Sequence, residues 1–219
     1  MITLAIEAST YTGSVAVIRD AAVIAEGVTA MRGEKEERLM PAVGDALRTA
    51  GVAPNEIDRV VCGAGPGSFT SLRIAGAIAK GLALSANAPL YPVSSLLLIA
   101  AGAEPRLAPG RYAAVLDAMR GDVFASTFSV TDAAITVESS MTILARSDAA
   151  AYAREQSARL IGPGESLVVS PHARGAAWLG SGVAWPMPAD LATWEPDYGR
   201  LAEAQVKWEA AHGRALIPR

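Results

Sequence analysis

Apolar positions recur at every second place over the first thirty residues, and that period sets the opening of the fold. Residues 2–8, 14–18 and 23–29 alternate or run in β-formers, and the turn residues of 9–13 and Arg19-Asp20 separate them. A three-strand meander is predicted. The period then lengthens to that of a helix. Leu39, Met40, Val43, Ala46, Leu47 and Ala50 follow Glu34, Glu36 and Glu37, acids that suit a helix's positive end. Pro41 fits a start near Glu37, because its missing N–H then falls in the first turn, and Gly51 ends the helix. A strand over 59–63 leads through glycines into a long helix over 70–86. Then come a strand over 89–93 and a helix over 96–102, capped by Ser94 or Ser95.

Residues 103–110 read as a linker, Ala-Glu-Pro-Arg-Leu-Ala-Pro-Gly. After it the opening theme returns. A strand over 111–116 ends at Asp117, Arg120-Gly121-Asp122 turns the chain, and strands over 123–130 and 135–143 follow. The first strand of each half thus ends in an acid, Glu7 and then Asp117, which is a weak internal repeat of two β-meander lobes. Beyond it the pattern predicts a helix over 147–158, a strand over 159–163 and a helix over 171–179. Trp185-Pro186-Met187-Pro188 is irregular, and a last helix over 201–211 holds Trp208. The predicted fold class is α/β, with an N-terminal lobe over 1–103 and a shorter C-terminal lobe over 110–219. Helix 201–211 has the option of packing back on the first lobe.

The densest motif is Gly63-Ala64-Gly65-Pro66-Gly67-Ser68-Phe69-Thr70. Its Gly-x-Gly-x-Gly spacing is neither a dinucleotide fingerprint nor a P-loop, which would need Gly-Lys-Ser/Thr where Gly67-Ser68-Phe69 stands. Ser68 or Thr70 can cap the following helix, whose first amides would suit an anion. Close backbone packing is the preferred reading of the glycines.

With 219 residues, 51% of them apolar and 19% charged, the chain can bury one large domain or two small lobes. Its longest apolar run, near 96–103, is too short to cross a bilayer. The N-terminus enters a strand with no basic leader, and one cysteine, Cys62, fits a reducing compartment, so a cytoplasmic location without a membrane partner is expected. Net charge −3, with no Lys/Arg cluster, argues against gripping nucleic acid alone. The two histidines, His172 and His212, share no helical face, which removes a histidine-pair metal site at helical spacing and leaves capping or exposure for both. There is no Gly-x-Ser-x-Gly elbow. Cys62, inside a strand, reads as a core thiol. Glu7 and Asp117 could hold a Mg²⁺-bound water in a nucleotide cleft, although ending strands and bonding turn amides is the preferred role. Ala75, Ala79 and Ala83 fall on one ridge with Gly76 beside it, and such small residues let another backbone approach. Leu39, Val43, Ala46, Leu47 and Ala50 form an apolar stripe of the kind that usually packs on its own domain.

Two meander lobes, each with an acid ending its first strand, resemble the two-lobed actin-like (ribonuclease H-like) fold of ATPases and sugar kinases, each lobe a mixed sheet with packed helices. Four segments are more specifically similar to the TsaB family, the non-catalytic subunits of bacterial tRNA threonylcarbamoyladenosine synthesis. They are Leu4-Ala5-Ile6-Glu7-Ala8-Ser9-Thr10 with Ser14-Val15-Ala16-Val17, and Gly65-Pro66-Gly67-Ser68-Phe69-Thr70 with Leu72-Arg73-Ile74. The others are Tyr91-Pro92-Val93-Ser94-Ser95-Leu96 with the stretch from Leu116 through Asp117 to Phe124, and Glu195-Pro196-Asp197-Tyr198-Gly199-Arg200.

The resemblance implies a scaffold that dimerises with the catalytic subunit TsaD and is not itself an enzyme. Threonylcarbamoyl transfer to the adenosine beside the anticodon would then proceed on the partner. The implied contact is a helix pair, with Leu39, Val43, Ala46 and Leu47 on the first helix and Leu72, Ala75, Gly76, Ala79 and Ala83 on the second. Glu7 and Asp117 become a vestigial nucleotide cleft. No cofactor is expected on this chain, ATP and a metal being used by partner proteins. The ATPase TsaE and tRNA are reached through the complex, and a homodimer of the isolated chain stays open. The alternative is a stand-alone ATP-dependent phosphotransferase or ATPase of the sugar-kinase type. A metalloprotease is a third reading, which the missing histidine pair argues against.

Overall fold

The alternating opening folds as predicted, into β1 (Ile2–Glu7), β2 (Thr12–Arg19) and β3 (Ala22–Ala30). The computed structural model describes residues 1–33, 36–182, 186–201 and 203–213. β1 and β2 run antiparallel from Ile2 opposite Arg19 to Glu7 opposite Ser14. β3 adds outside β2, with a bulge between Val17 and Ile18. β4 (Arg59–Gly63) and β5 (Leu90–Val93) extend the other side in parallel, giving the order β3-β2-β1-β4-β5. Parallel neighbours need a crossover, supplied here by helices α1 (Leu39–Ala50) and α2 (Phe69–Ala86).

The second half rebuilds this sheet. Its strands are β6 (Gly110–Asp117), β7 (Asp122–Val130), β8 (Ile135–Val137), β9 (Thr142–Ala145), β10 (Arg159–Gly162) and β11 (Leu167–Val168). Their order is β11-β10-β6-β7-β8, with β9 also on β7. β6 to β8 form the antiparallel meander, and β10 and β11 pair in parallel on the far side. The repeat read from the two acids is therefore a repeat of sheet topology, and the chain folds as two α/β halves, each a mixed sheet with packed helices.

Several boundaries differ from the sequence pattern for local reasons. The strand predicted over 135–143 is split, because Ser139 turns inward between β8 and β9. Its hydroxyl oxygen accepts the Thr127 N–H at 2.9 Å, and its carbonyl accepts the Ser126 hydroxyl at 2.7 Å. α1 begins at Leu39 rather than near Glu37. Glu37 stays outside the helix and caps it, its carboxylate accepting the N–H of Met40 at 3.1 Å and that of Leu39. Helix 147–158 is shorter, as α4 (Ala149–Glu155) behind a 3-10 turn. Helix 171–179 is a 3-10 turn (Ala173–Gly175) followed by α5 (Ala176–Gly182). α3 (Ser95–Ala101) and α6 (Glu203–His212) complete the elements. Glu34, Lys35 and Trp185 lie outside the described residues.

The elements stack in layers. α1 and α2 cover the outer face of the first sheet, where Leu4, Ile6, Val15 and Val17 meet Val43, Leu47, Ala75 and Ala79. α4 covers the outer face of the second sheet through Val115, Val123, Ala125 and Ala149. Between the sheets lies a shared apolar layer, with Leu96 to Ala101 of α3 at its centre and Trp178 and Leu179 of α5 beside it. Residues 186–194 do not stay with the second lobe. Ala189 donates its N–H to the Leu90 carbonyl at 2.8 Å, and Ala189, Leu191 and Trp194 pack on the first lobe's core.

Ala79 shows no exposed surface and sits between α2 and its own sheet. Ala79→Arg is therefore expected to unfold or aggregate the protein, since an unpaired charge would enter a packed core, a loss of more than about 4 kcal/mol. A thermal melt of the purified variant checks this, and a wild-type melting curve would refute the packing.

Candidate functional site

The acid at the end of β1 is wholly enclosed. Glu7 has no exposed surface, and its carboxylate accepts the Ser9 N–H at 2.5 Å and the Ser95 hydroxyl at 2.9 Å. Burial holds this carboxyl above its ordinary value, and the hydrogen bonds from Ser9 and Ser95 pull the other way. Gly63 lines up opposite, and a Cβ there would fall on the carboxylate. Cys62 is buried one residue earlier, with its thiol pushed up by burial and by the nearby Glu7 charge, so it is a core group and not a nucleophile.

The glycine loop packs backbone against backbone on both flanks. The Ser68 N–H donates to the Ser9 carbonyl at 2.7 Å, that of Ala64 to Val93 at 2.7 Å, and that of Ser95 to Gly65 at 2.8 Å. Residues 194–200 close the remaining side, Asp197 donating its N–H to the Ala64 carbonyl at 2.7 Å. Gly65, at φ +95°, has the Asp197 carbonyl where a Cβ would stand, and Gly67, at φ +155°, has Ser9 there. Tyr198 lays its ring 4.5 Å from that of Phe69, and Gly199 fits between Pro66 and Phe124. Arg200 then pairs with Asp122 on the second lobe. This loop is a clamp point, where three segments and both lobes meet.

Asp117 sits differently from Glu7. Its side chain is 56% exposed, pairs with Arg146 at 3.1 Å and accepts the Met119 N–H at 3.3 Å. Each acid thus bonds an amide two residues on, and no hydrogen bond or ion pair joins them. Among the described residues no three His, Cys, Asp or Glu side chains gather as a metal site. His172 accepts the Arg174 N–H on Nδ1 at 3.1 Å as a cap, and burial lowers its pKa while Glu26 opposes. His212 stacks on Trp208 at a helix end.

The residues expected at the helix-pair contact pack within the chain itself. Leu39, Val43, Ala46 and Leu47 of α1, and Leu72, Ala75, Gly76, Ala79 and Ala83 of α2, are all buried in the isolated chain. Most face the sheet, and Gly76 is covered by Pro196 and Trp194. They build the lobe, and the opposite faces of the two helices are left open. Those faces carry a second small row: Ala77, Gly81 and Ser85, also at i, i+4, i+8, are all exposed. Gly81 and, on α1, Gly44 have open space where a Cβ would project. Met40 at 45% and Leu84 at 68% exposure add apolar surface. The missed signal was the rotation: a helix with two small rows leaves their burial to the sheet contact.

Comparison with known proteins follows this geometry. Residues 30–187 match the family of TsaD, tRNA N6-adenosine threonylcarbamoyltransferase. The chain is 31% identical to the tRNA threonylcarbamoyladenosine biosynthesis protein TsaB of Bacillus subtilis (strain 168), over 95% of this chain and 98% of that protein. It is 40% identical to the protein of the same description from Escherichia coli (strain K12), over 55% and 52% of the two chains. A crystal structure of an uncharacterized Pseudomonas aeruginosa protein, described as similar to peptidase YEAZ, superposes with a TM-score of 0.71 at 25% identity, covering 91% of this chain and 99% of that one.

Two expectations follow from the junction. Gly65→Ala should cost more than about 2 kcal/mol and free residues 194–200, seen as a lowered melt and faster amide exchange at Asp197. Unchanged exchange would refute the clamp. Because the folded Glu7 carboxyl titrates above its unfolded value, the native state binds the extra proton. Stability is then full below the unfolded value, about 4.5, and is lost as pH rises through the folded one. Glu7→Gln should therefore gain on wild type as pH rises, with about 2–4 °C of melting temperature for each kcal/mol. Parallel melting curves from about pH 4 to about pH 8 would refute it.

Proposed function

The chain belongs to the TsaB proteins of tRNA threonylcarbamoyladenosine biosynthesis, within the wider TsaD family, and we propose that it serves there as the non-catalytic partner of TsaD. The observation that carries this reading is the outer face of α1 and α2. Exposed Ala77, Gly81 and Ser85, with open space at Gly44, allow a second helix pair to come close, and Met40 and Leu84 offer it apolar contact. TsaD, sharing the family, would bring an equivalent helix pair, and the two pairs would pack as a four-helix bundle. In isolation the same face is the one available to a second copy of this chain.

The junction supports a scaffold rather than a phosphotransferase. Glu7 is enclosed by Ser9 and Ser95, and in the glycine loop the amides of Ala64, Gly65 and Ser68 and the carbonyls of Ala64 and Gly65 are engaged by Val93, Ser95, Ser9 and Asp197. ATP and metal chemistry then belong to partner proteins, TsaE joins through the assembled pair, and a chain of net charge −3 meets tRNA through the complex. No helix among the described residues is long and apolar enough to cross a membrane.

Ala77→Arg tests the interface, because position 77 is exposed and the fold has no need of its methyl group. Co-purification with TsaD should weaken by about 100-fold or more while the melt of the variant alone is unchanged. Retained binding would place the partner surface elsewhere. ATP hydrolysis by the purified chain without partners would favour the phosphotransferase instead.

A further inference from the structure

Where the linker passes the edge of the second sheet, it borders an open pocket of about 480 Å³, within the volume range of small-ligand sites. The pocket lies apart from the glycine loop and from the outer face of α1 and α2. One wall is apolar, formed by Leu107 of the linker and by Leu167 and Val168 of β11. β11 is an edge strand, and Val168 is 70% exposed on it. The other wall is cationic, with Arg106, Arg159 and Arg174.

These arginines are not equivalent. Arg174 is already paired, with Glu26 at 3.0 Å and with Glu104, another lining residue. Arg106 and Arg159 have no carboxylate partner among the described residues. Each instead lies over a ring, the guanidinium carbon 4.6 Å from the centroid of Trp178 for Arg106 and 4.5 Å from that of Tyr112 for Arg159. The Arg159 guanidinium also donates to the Tyr112 hydroxyl, which donates in turn to the Ala108 carbonyl at 2.8 Å. A guanidinium seated over an aromatic ring is restrained by it, and its remaining N–H groups are available to an anion. In a chain of net charge −3, two such cations in one half-apolar pocket form a local positive charge that no carboxylate pairs with among the described residues.

We propose that this pocket binds a small amphipathic anion. A phosphate or carboxylate head is held by Arg106 and Arg159, and its apolar body lies on Leu107, Leu167 and Val168. The site is independent of the partner reading, since it shares no residue with α1 or α2.

The test is an NMR titration of the full chain with hexyl phosphate, hexanoate, inorganic phosphate and hexanol. At least one of the two amphipathic anions should bind saturably, shifting the amides of Leu107 and Val168, and the tighter of the two identifies the head group. Inorganic phosphate and hexanol should each bind at least about tenfold more weakly. The double variant Arg106→Gln/Arg159→Gln should lose about tenfold or more in affinity. Val168→Asp, at an exposed position, should do the same with an unchanged melt. The proposal is overturned if neither amphipathic anion saturates, if inorganic phosphate binds as tightly as hexyl phosphate, or if both variants bind like wild type.

Discussion

Helix α3 has no side facing water, and the arrangement of the two lobes depends on that. All seven of its residues, Ser95 to Ala101, are buried between the sheets. The exchange runs both ways. α3, from the first half, packs against the second sheet, while the turn Ala173–Gly175, from the second half, reaches the first sheet. There Ala173 donates its N–H to the buried Ser14 hydroxyl at 2.9 Å, and Arg174 meets Glu26 at 3.0 Å. Each sheet thus owes the cover of its inner face to the other half's chain. Parting the lobes would expose this apolar layer, whose burial is the dominant favourable term in folding.

The same logic places the acids and glycines. Ser95, the first residue of α3, gives its hydroxyl to Glu7 and accepts the Gly65 N–H on the same oxygen at 3.2 Å. One side chain therefore joins the shared layer, the end of β1 and the glycine loop. Buried polar groups need such partners, and a carboxyl enclosed this completely is tolerable only with them. The end of β1 and the glycine loop are thus bonded to the protein's own main chain and to one buried hydroxyl.

The meander, the acid-ended strands and the linker were legible because period-two alternation and turn residues report directly on local backbone. Duplication of the sheet was legible too, from Glu7 and Asp117 holding the same place in each half. The orientation of α2 was not. It carries small residues on two rows, 75-79-83 and 77-81-85, and spacing alone does not say which row the sheet covers. The closure of the glycine loop by residues 194–200 was hidden for another reason. It joins positions more than a hundred residues apart through main-chain atoms, as between Ala64 and Asp197, and main-chain pairing leaves no mark in side-chain pattern. The linker pocket was invisible on similar grounds, as Arg106 and Arg159 come to line one pocket only through the fold.

Residues 194–200 carry a consequence for synthesis on the ribosome. They emerge after everything they close upon, so the glycine loop and the α2 surface at Gly76 await a late arrival. Until Asp197 reaches Ala64, and Arg200 reaches Asp122, the nascent protein presents a gap at the meeting point of its two halves. A polypeptide stalled before this segment would keep that gap. Closure of the gap thus distinguishes a finished fold from an interrupted one, and a chaperone or protease sampling the surface would meet two different molecules.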